Sequence, residues 1–216
     1  MQFDLKNNFE KACDEAFILA CQRLLEKGIP SCSDNTGAQV YKISENHYQI
    51  KIAYLNRAIC ISAPEFTFSA EDTQDISMRE KILILHYLCN GDGAPQNNTL
   101  INFKQLRSGN TYYPSFEGRC LKPLVRLFNE RPVHVTEHLK HLGGEEVSFG
   151  DWAIKLQAFS SVPVIFVIWK ADDEFPAEGN ILFDTSIESY LSTEDIVVLC
   201  QQIVLQIIKA ALNVRS

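Results

Sequence analysis

The spacing of apolar residues in the first third of the chain predicts one long helix followed by short strands. Between Leu5 and Lys27, apolar side chains recur at steps of three and four residues, the period of an amphipathic helix. Gly28 and Pro30 end this pattern, since glycine favours the left-handed backbone found just after a helix. The period then changes to two, which indicates strands with one buried face. Short connections make them an antiparallel meander of three strands, Val40–Ile43, Tyr48–Tyr54 and Ala58–Ile61.

The middle of the chain is mostly helical in pattern. One helix is predicted from Ile76 to Cys89, opened by Asp75. After a turn-rich loop, residues 92–99, the chain offers a short strand candidate and two further helices. They are the strand Ile101–Leu106, the helix Pro114–Asn129, kinked or divided at Pro123, and the helix Val133–Leu142, ended by Gly143 and Gly144.

The last third returns to strands and closes with an apolar helix. The predicted strands are Val147–Phe159, Val162–Trp169 and Ile181–Phe183. The helix, Thr193–Asn213, is capped by Ser192 and is apolar almost all round. Its narrow polar stripe consists of Gln202, Gln206, Lys209 and Asn213. Such a helix is either enclosed in the core or forms half of a homodimer contact.

Strands in two clusters, with helices before, between and after them, predict an α+β fold. The expected order is an N-terminal helix, an antiparallel meander, central helices, C-terminal strands and a long buried C-terminal helix. No repeat or linker interrupts the 216 residues, so we expect one domain over 1–216.

The net charge of −7 and the scattered basic residues argue against nucleic-acid binding, which depends on lysine and arginine at phosphates. The first twenty residues lack the basic start and apolar stretch of a signal peptide, and no apolar run is long enough to span a membrane. We therefore expect a cytoplasmic protein that binds neither nucleic acid nor membrane.

The chain has seven cysteines, and no two are closer than Cys13 and Cys21. Without a C-x-x-C pair, the chain has neither a local zinc motif nor a local iron–sulfur motif, and the sequence leaves the identity of any cofactor open. The default interpretation is that these cysteines are reduced and pack as small apolar residues.

Three histidines, His134, His138 and His141, lie on one face of a predicted helix and are candidate metal ligands. Over seven residues a helix rises about 10 Å, so one ion is reached by the first two and not by the third. His134 and His138 are the candidate pair, and an exposed helical face is the alternative.

Carboxylates follow the apolar strand Val162–Trp169 and form the second candidate site. Asp173, Glu174 and Asp184 belong to this group and are suited to a divalent cation or to acid–base work. The alternative is a hairpin turn with solvated charges. The chain has no G-x-S-x-G elbow and no phosphate loop, which leaves nucleophilic catalysis and nucleotide binding without support.

The string Asp173-Glu174-Phe175-Pro176, followed by Leu182-Phe183-Asp184, resembles an uncharacterised prokaryotic family known as a domain of unknown function. The middle of the chain agrees with this family as well. The matching positions there are His86-Tyr87-Leu88, Phe103, Leu106, Gly109, Tyr112-Tyr113, Arg119 and Leu142-Gly143-Gly144. The family occurs mainly in anaerobic bacteria and archaea, and some relatives carry an N-terminal iron–sulfur domain. This chain has no clustered cysteines, so the iron–sulfur label does not transfer.

The resemblance implies an accessory role in anaerobic redox or one-carbon metabolism, beside a redox or methyl-transfer partner protein. In this interpretation Asp173, Glu174 and Asp184 line a ligand or partner site, with Arg119 and Tyr113 nearby. Two alternatives stay open: an enzyme in which the same carboxylates bind a divalent metal, and a metal protein that uses two histidines and a cysteine.

Overall fold

The computed structural model describes the backbone of residues 2–72 and 75–213, and their side chains except at 2–7, 9 and 213. The described residues form seven α-helices and nine β-strands in two antiparallel sheets. This arrangement confirms the predicted α+β class and its order of elements.

The N-terminal helix, α1 (Gln2–Lys27), ends where the sequence predicts. Gly28 has a φ of 89°, in the left-handed region, and its N–H donates to the Leu24 carbonyl at 3.1 Å. Ala20 and Leu24 are buried on the face that packs against α3. A short helix, α2 (Ser31–Thr36), leads into the first sheet.

The first sheet has four strands in sequential order, β1 (Gln39–Lys42), β2 (Tyr48–Tyr54), β3 (Arg57–Ala63) and β4 (Thr67–Ala70). Leu55 and Asn56 join β2 to β3 with φ values of 49° and 59°, as the twist of a two-residue hairpin requires. The prediction of three strands was one short. β4 has only four residues and one large apolar side chain, Phe68, so it leaves no clear period in the sequence.

The central helices are α3 (Met78–Asn90), α4 (Gly109–Phe116), α5 (Lys122–Glu130) and α6 (Pro132–His141). Ser77, and not Asp75, caps α3, because its hydroxyl accepts the Glu80 N–H. A π-helical turn, Glu117–Leu121, joins α4 to α5, so the predicted helix is divided in two as one of the alternatives had it, and Pro123 lies in the first turn of the second piece.

The second sheet has the order β5-β9-β8-β7-β6, and all of its pairs are antiparallel. Its strands are β5 (Leu100–Asn102), β6 (Glu145–Glu146), β7 (Trp152–Phe159), β8 (Val162–Trp169) and β9 (Glu178–Asp184). The predicted strand Ile101–Leu106 was too long. Asn102 caps a 3₁₀ turn over Phe103–Gln105, and this turn carries the chain away from β9.

The C-terminal helix, α7 (Thr193–Asn213), lies among α3, α4, α5 and α6. One cluster of buried residues includes side chains of α7 and of both sheets. Among the described helices, α7 alone is long and apolar enough to cross a membrane, and 56% of that stretch is buried, as in the core helix of a soluble protein. Of the two predicted placements, α7 occupies the core; a homodimer contact through it stays a prediction.

Candidate functional site

A polar cavity of about 490 Å³ lies between α3, α6, α7 and the start of β3, and we call it the α3–α7 pocket. Its polar lining consists of Arg57, Asp75, Ser77, Glu80, His138, Gln202, Gln206 and Lys209. Cavities of this size accommodate small metabolites, and several polar side chains that converge on one are typical of a binding site.

Glu80 supplies a buried carboxylate to the α3–α7 pocket and is held by three hydrogen bonds. The backbone N–H and hydroxyl of Ser77 donate to its Oε2 at 2.9 and 2.7 Å. The amide of Gln206, on α7, donates to its Oε1 at 3.2 Å. Glu80 is only 5% exposed, so these donors hold its carboxyl group at a set position.

Arg57 adds a cation at the start of β3. Its Nε and Nη2 donate to the two carboxylate oxygens of Asp72 at 2.6 and 2.7 Å. This bidentate contact raises the pKa of Arg57, against the effect of partial burial. The guanidinium is therefore held rigidly in the lining of the pocket.

Within the described part of the chain, His138 lines the pocket with one ring nitrogen left without a hydrogen-bond partner. Its Nε2 is buried and has no hydrogen-bond partner among the described residues. Burial lowers the pKa of His138, and the nearby His141 lowers it further. At neutral pH His138 therefore presents an uncharged imidazole to the pocket.

Tyr54 is fully buried near Glu80 and Arg57, and its hydroxyl also has no hydrogen-bond partner among the described residues. Burial raises its pKa well above the usual value, and the charge of nearby Glu80 raises it further. Tyr54 and His138 thus each contain a buried polar atom without a partner among the described residues, which carries a desolvation cost, but only His138 lines the pocket.

The predicted histidine helix is present as α6, but its histidines have different surroundings. His138 lines the pocket, His134 is half-buried and His141 is exposed. The ring centroids of His138 and His141 are 6.3 Å apart. In the described part of the chain, no three histidine, cysteine, aspartate or glutamate side chains form a group able to hold a metal ion.

The predicted acidic residues lie at opposite ends of β9. Asp173 and Glu174 are exposed in the turn that precedes the strand, whereas Asp184 is its buried last residue. The seven residues of β9 span about 20 Å at roughly 3.3 Å per residue, which keeps Asp184 away from the turn. In that turn Asp172 accepts the N–H groups of Glu174 and Phe175, and these bonds lower its pKa.

Asp184 fastens the loop before β5 to the end of β9. Its Oδ1 accepts the N–H groups of Asn97 and Ser186, at 3.3 and 3.0 Å, and its Oδ2 accepts the Asn98 N–H at 2.7 Å. Burial acts to raise the pKa of Asp184, but these hydrogen bonds outweigh it and the pKa is lowered.

Tyr113 lies in a groove beside β9, and Arg119 is exposed on the π-helical turn. Tyr113 and Glu178 both line two adjoining cavities of about 600 and 300 Å³. Burial raises the pKa of Tyr113, and the nearby Glu117 raises it further. The structure thus brings Tyr113 together with Glu178, the first residue of β9, and Arg119 is not among the residues that line either cavity.

His86 and Asp195 connect α3 to the first turn of α7. His86 Nδ1 lies 2.7 Å from Asp195 Oδ1, while the Ser192 hydroxyl donates to Asp195 Oδ2 at 2.6 Å. Burial acts to raise the pKa of Asp195, but His86 and Ser192 lower it overall. The Asp195 N–H donates to the Ser192 hydroxyl, which confirms Ser192 as the cap of α7.

Five of the seven cysteines have raised thiol pKa values, in each case first through burial. The pKa is about 11 for Cys21 and Cys32 and about 12 for Cys89 and Cys120, and that of Cys200 is well above its usual value. Thiols of this kind are poor nucleophiles at neutral pH, as expected for buried small apolar residues.

Sequence reasoning singled out His138 and the polar stripe of α7 without bringing them together. It missed Arg57 and Glu80. The spacing Ser77-x-x-Glu80 is a readable capping signal, but the contact between Glu80 and Gln206 joins positions 126 residues apart and leaves no local pattern.

Fold and site together define an α+β domain in which two antiparallel sheets share a core with one long helix, and a polar cavity opens at that helix. A family model described as "Domain of unknown function (DUF3786)" matches residues 29–206, and the chain belongs to this family. No curated protein and no solved structure matches the chain. The family match confirms the resemblance to a domain of unknown function, and it includes every polar lining residue of the α3–α7 pocket except Lys209.

Proposed function

We propose that this protein is a ligand-binding accessory domain and that the α3–α7 pocket holds a small polar molecule. The observation that carries the proposal is the buried, unpartnered Nε2 atom of His138, a residue that lines the same cavity as the hydrogen-bonded carboxylate of Glu80. A ligand hydrogen-bonded to His138 Nε2 removes the cost of that buried, unpaired atom.

The chemistry of the lining indicates what kind of ligand fits. Glu80 accepts hydrogen bonds, the amides of Gln202 and Gln206 both donate and accept, and Lys209 adds an exposed cation. The proposed ligand therefore carries both donors and acceptors, as zwitterions and carboxamides do. A purely apolar molecule would leave these groups unpaired.

A thermal-shift screen of small zwitterions, carboxamides and carboxylates tests this proposal. Binding stabilises the folded state by RT ln(1 + [L]/Kd), about 2.7 kcal/mol at a hundredfold excess over Kd, so a true ligand raises Tm by several degrees. Hits are confirmed by calorimetry. We expect Gln206→Leu and His138→Leu to weaken binding of a hit at least about tenfold.

The matched control is Lys11→Met, on the exposed face of α1 and outside the pocket, beside Lys209→Met in its lining. Of these two lysine substitutions, we expect Lys209→Met to change the affinity for a hit and Lys11→Met to leave it unchanged. Hits that bind His138→Leu as tightly as the unaltered protein would exclude the pocket as their site.

The setting we propose for this activity comes from the resemblance noted in the sequence. It is an accessory role in the cytoplasm, beside a redox or methyl-transfer partner protein in anaerobic metabolism. The D-E-F-P string at 173–176 supports this setting through the family it resembles. Affinity purification from an anaerobic lysate tests it, and failure to recover any redox or methyl-transfer protein reproducibly would count against it.

A further inference from the structure

The side of β9 that faces β5 is paired over only part of its length. The pairing with β5 ends at Asn102↔Leu182, whereas β8 pairs with β9 as far as Glu178. The first half of β9 thus has a neighbouring strand on one side only. Unpaired strand edges of this kind are the places where an extended chain can add a strand.

The direction of the backbone groups shows which residues face this open side. The Thr185 N–H donates to the Thr99 carbonyl, on the β5 side. The Ile181 N–H donates to the side-chain oxygen of its neighbour Asn180 at 2.9 Å, because no strand lies opposite it. Since these groups alternate along an antiparallel strand, Gly179 faces the same side as Ile181.

A groove runs along this open side, and we call it the β9 groove. Its smaller cavity, of about 300 Å³, is lined by Asn102, Phe103, Lys104, Tyr113, Trp169, Glu178, Gly179 and Asn180. Trp169 is 43% exposed, which is unusual for so large an aromatic side chain. The larger cavity, of about 600 Å³, continues from Tyr113 and Glu178 along α5.

The groove already contains one cation of the protein itself. The ammonium group of Lys104 lies 4.0 Å from the centroid of the Tyr113 ring, close enough for a cation–π interaction. Trp169 and Glu178 line the same cavity, so the surroundings suit a further lysine or arginine side chain.

The charges around the groove favour the same kind of occupant. Lys122 pairs with Glu117 at 2.8 Å, and Arg126 pairs with Glu130 at 3.1 Å, so these two cations are locally balanced. Glu178 belongs to neither pair, and the preceding turn adds Asp172, Asp173 and Glu174. Against these four carboxylates stand Lys104, in the groove, and Lys170, which follows Trp169. The open end of β9 is therefore surrounded by more negative than positive side chains, which favours the approach of a basic chain.

We infer that the β9 groove binds an extended basic segment of a partner protein, which adds a strand beside Gly179 and Ile181 and places its basic side chains against Trp169 and Glu178. The main-chain hydrogen bonds supply affinity, and the side chains that alternate into the groove supply specificity. This site is distinct from the α3–α7 pocket, so either proposal can fail without the other.

A capped peptide of about ten residues in which lysine alternates with threonine is the probe, long enough to cover about 30 Å in extended form. We expect saturable binding in fluorescence anisotropy and a change in Trp169 emission. A matched peptide with glutamate in place of lysine should bind at least about tenfold more weakly. Equal binding of the two peptides, or no saturation by the basic one, would overturn the proposal.

N-methylation separates strand addition from simple charge attraction, because it removes the backbone donor and leaves the charge. Two further peptides carry methyl groups on alternate N–H positions, one set facing β9 and the other facing away. Only the peptide whose methyl groups face β9 should lose binding, and the other should bind like the parent peptide. If both methylated peptides bind like the parent, no strand is added and the inference is wrong.

Variants of the protein locate the site. Glu178→Gln and Trp169→Ala should each weaken binding of the basic peptide about five- to tenfold, whereas Glu137→Gln, an exposed carboxylate on α6, should not. Lys104→Met should strengthen binding, because it removes the competing cation from Tyr113. Unchanged affinity in both groove variants would place the peptide elsewhere and refute this assignment.

Discussion

Asp184 illustrates how one side chain can hold a loop in place without taking part in chemistry. Its carboxylate accepts three backbone N–H groups, and it is only 2% exposed. Asp184→Asn replaces one acceptor oxygen by an amide that donates, opposite groups that also donate. We expect a loss of about 2–3 kcal/mol in the free energy of unfolding, measured by urea denaturation.

The matched control is Asp173→Asn in the exposed turn, which should change stability by no more than about 0.5 kcal/mol. The pKa of Asp184 is lowered by folding, so its contribution is complete above the unfolded value near 3.9 and is lost as pH falls through the folded value. Equal stability of the two variants at pH 7 would contradict the structural role of Asp184.

His138 gives the pocket a pH dependence of predictable sign. Folding lowers its pKa, so below about pH 6.5 the unfolded chain binds a proton that the folded chain does not, and stability falls as the pH is lowered. In His138→Gln this contribution to the pH dependence of stability disappears. We expect the difference in Tm between the two proteins to change between pH 7.5 and pH 5.5; a constant difference would show that His138 does not titrate differently on folding.

The cysteines allow a direct chemical test of burial. Raised thiol pKa values predict that Cys21, Cys32, Cys89, Cys120 and Cys200 react slowly with iodoacetamide in the folded protein at pH 8. Peptide mass spectrometry should find the four buried thiols labelled last, after the half-buried Cys13, Cys60 and Cys89. In urea all seven should be labelled. Early labelling of Cys120 or Cys200 in the folded state would contradict the described core.

At the scale of elements, the contact between α5 and β9 depends on a glycine. A Cβ atom at Gly179 would lie 2.6 Å from Val125 Cγ2, on α5, so the helix would have to move away from the strand. We expect Gly179→Ala to lower the free energy of unfolding by about 1–3 kcal/mol. Gly118, in the π-helical turn, has no atom within 4 Å of that position.

Gly118→Ala is therefore the control, and it should leave stability unchanged or raise it by up to about 1 kcal/mol, because alanine restricts the unfolded chain. Urea denaturation of both variants measures the contrast. If both substitutions were equally destabilising, backbone freedom and not the approach of α5 to β9 would be the reason for glycine at 179.

At the scale of the whole molecule, the sequence was sufficient to predict those helices and strands whose pattern is long and local. The helices α1, α3 and α7 and the strands β2 and β8 follow from period and caps, and β7 does so from Trp152 onward, since residues 147–151 of the predicted strand are not part of it. The strand β4 and the end of β5 could not be predicted from the sequence, because each depends on a few residues whose partners lie in other elements of the chain. The α3–α7 pocket is the extreme case, because Arg57, Glu80, His138 and Gln206 come from four elements and meet only in the folded chain.

The shared core allows a last prediction about the molecule as a unit. Ile50 and Ile61 of the first sheet, Phe166 of the second and Ile203 of α7 belong to one cluster of buried residues, so neither sheet covers its apolar face without the other. We therefore expect a single cooperative urea transition, with coincident curves from far-ultraviolet circular dichroism and from tryptophan emission, which reports on Trp152 and Trp169 beside the second sheet.

Truncation of one core side chain in each sheet tests whether the two sheets unfold together. Ile61→Ala and Phe166→Ala create cavities in different sheets and should each cost about 2–5 kcal/mol. If the sheets unfold together, Ile61→Ala shifts the tryptophan curve as far as the dichroism curve, although both tryptophans lie on the second sheet. A shift of the dichroism curve alone would mean that the meander unfolds separately, and the prediction of one domain over 1–216 would then be wrong.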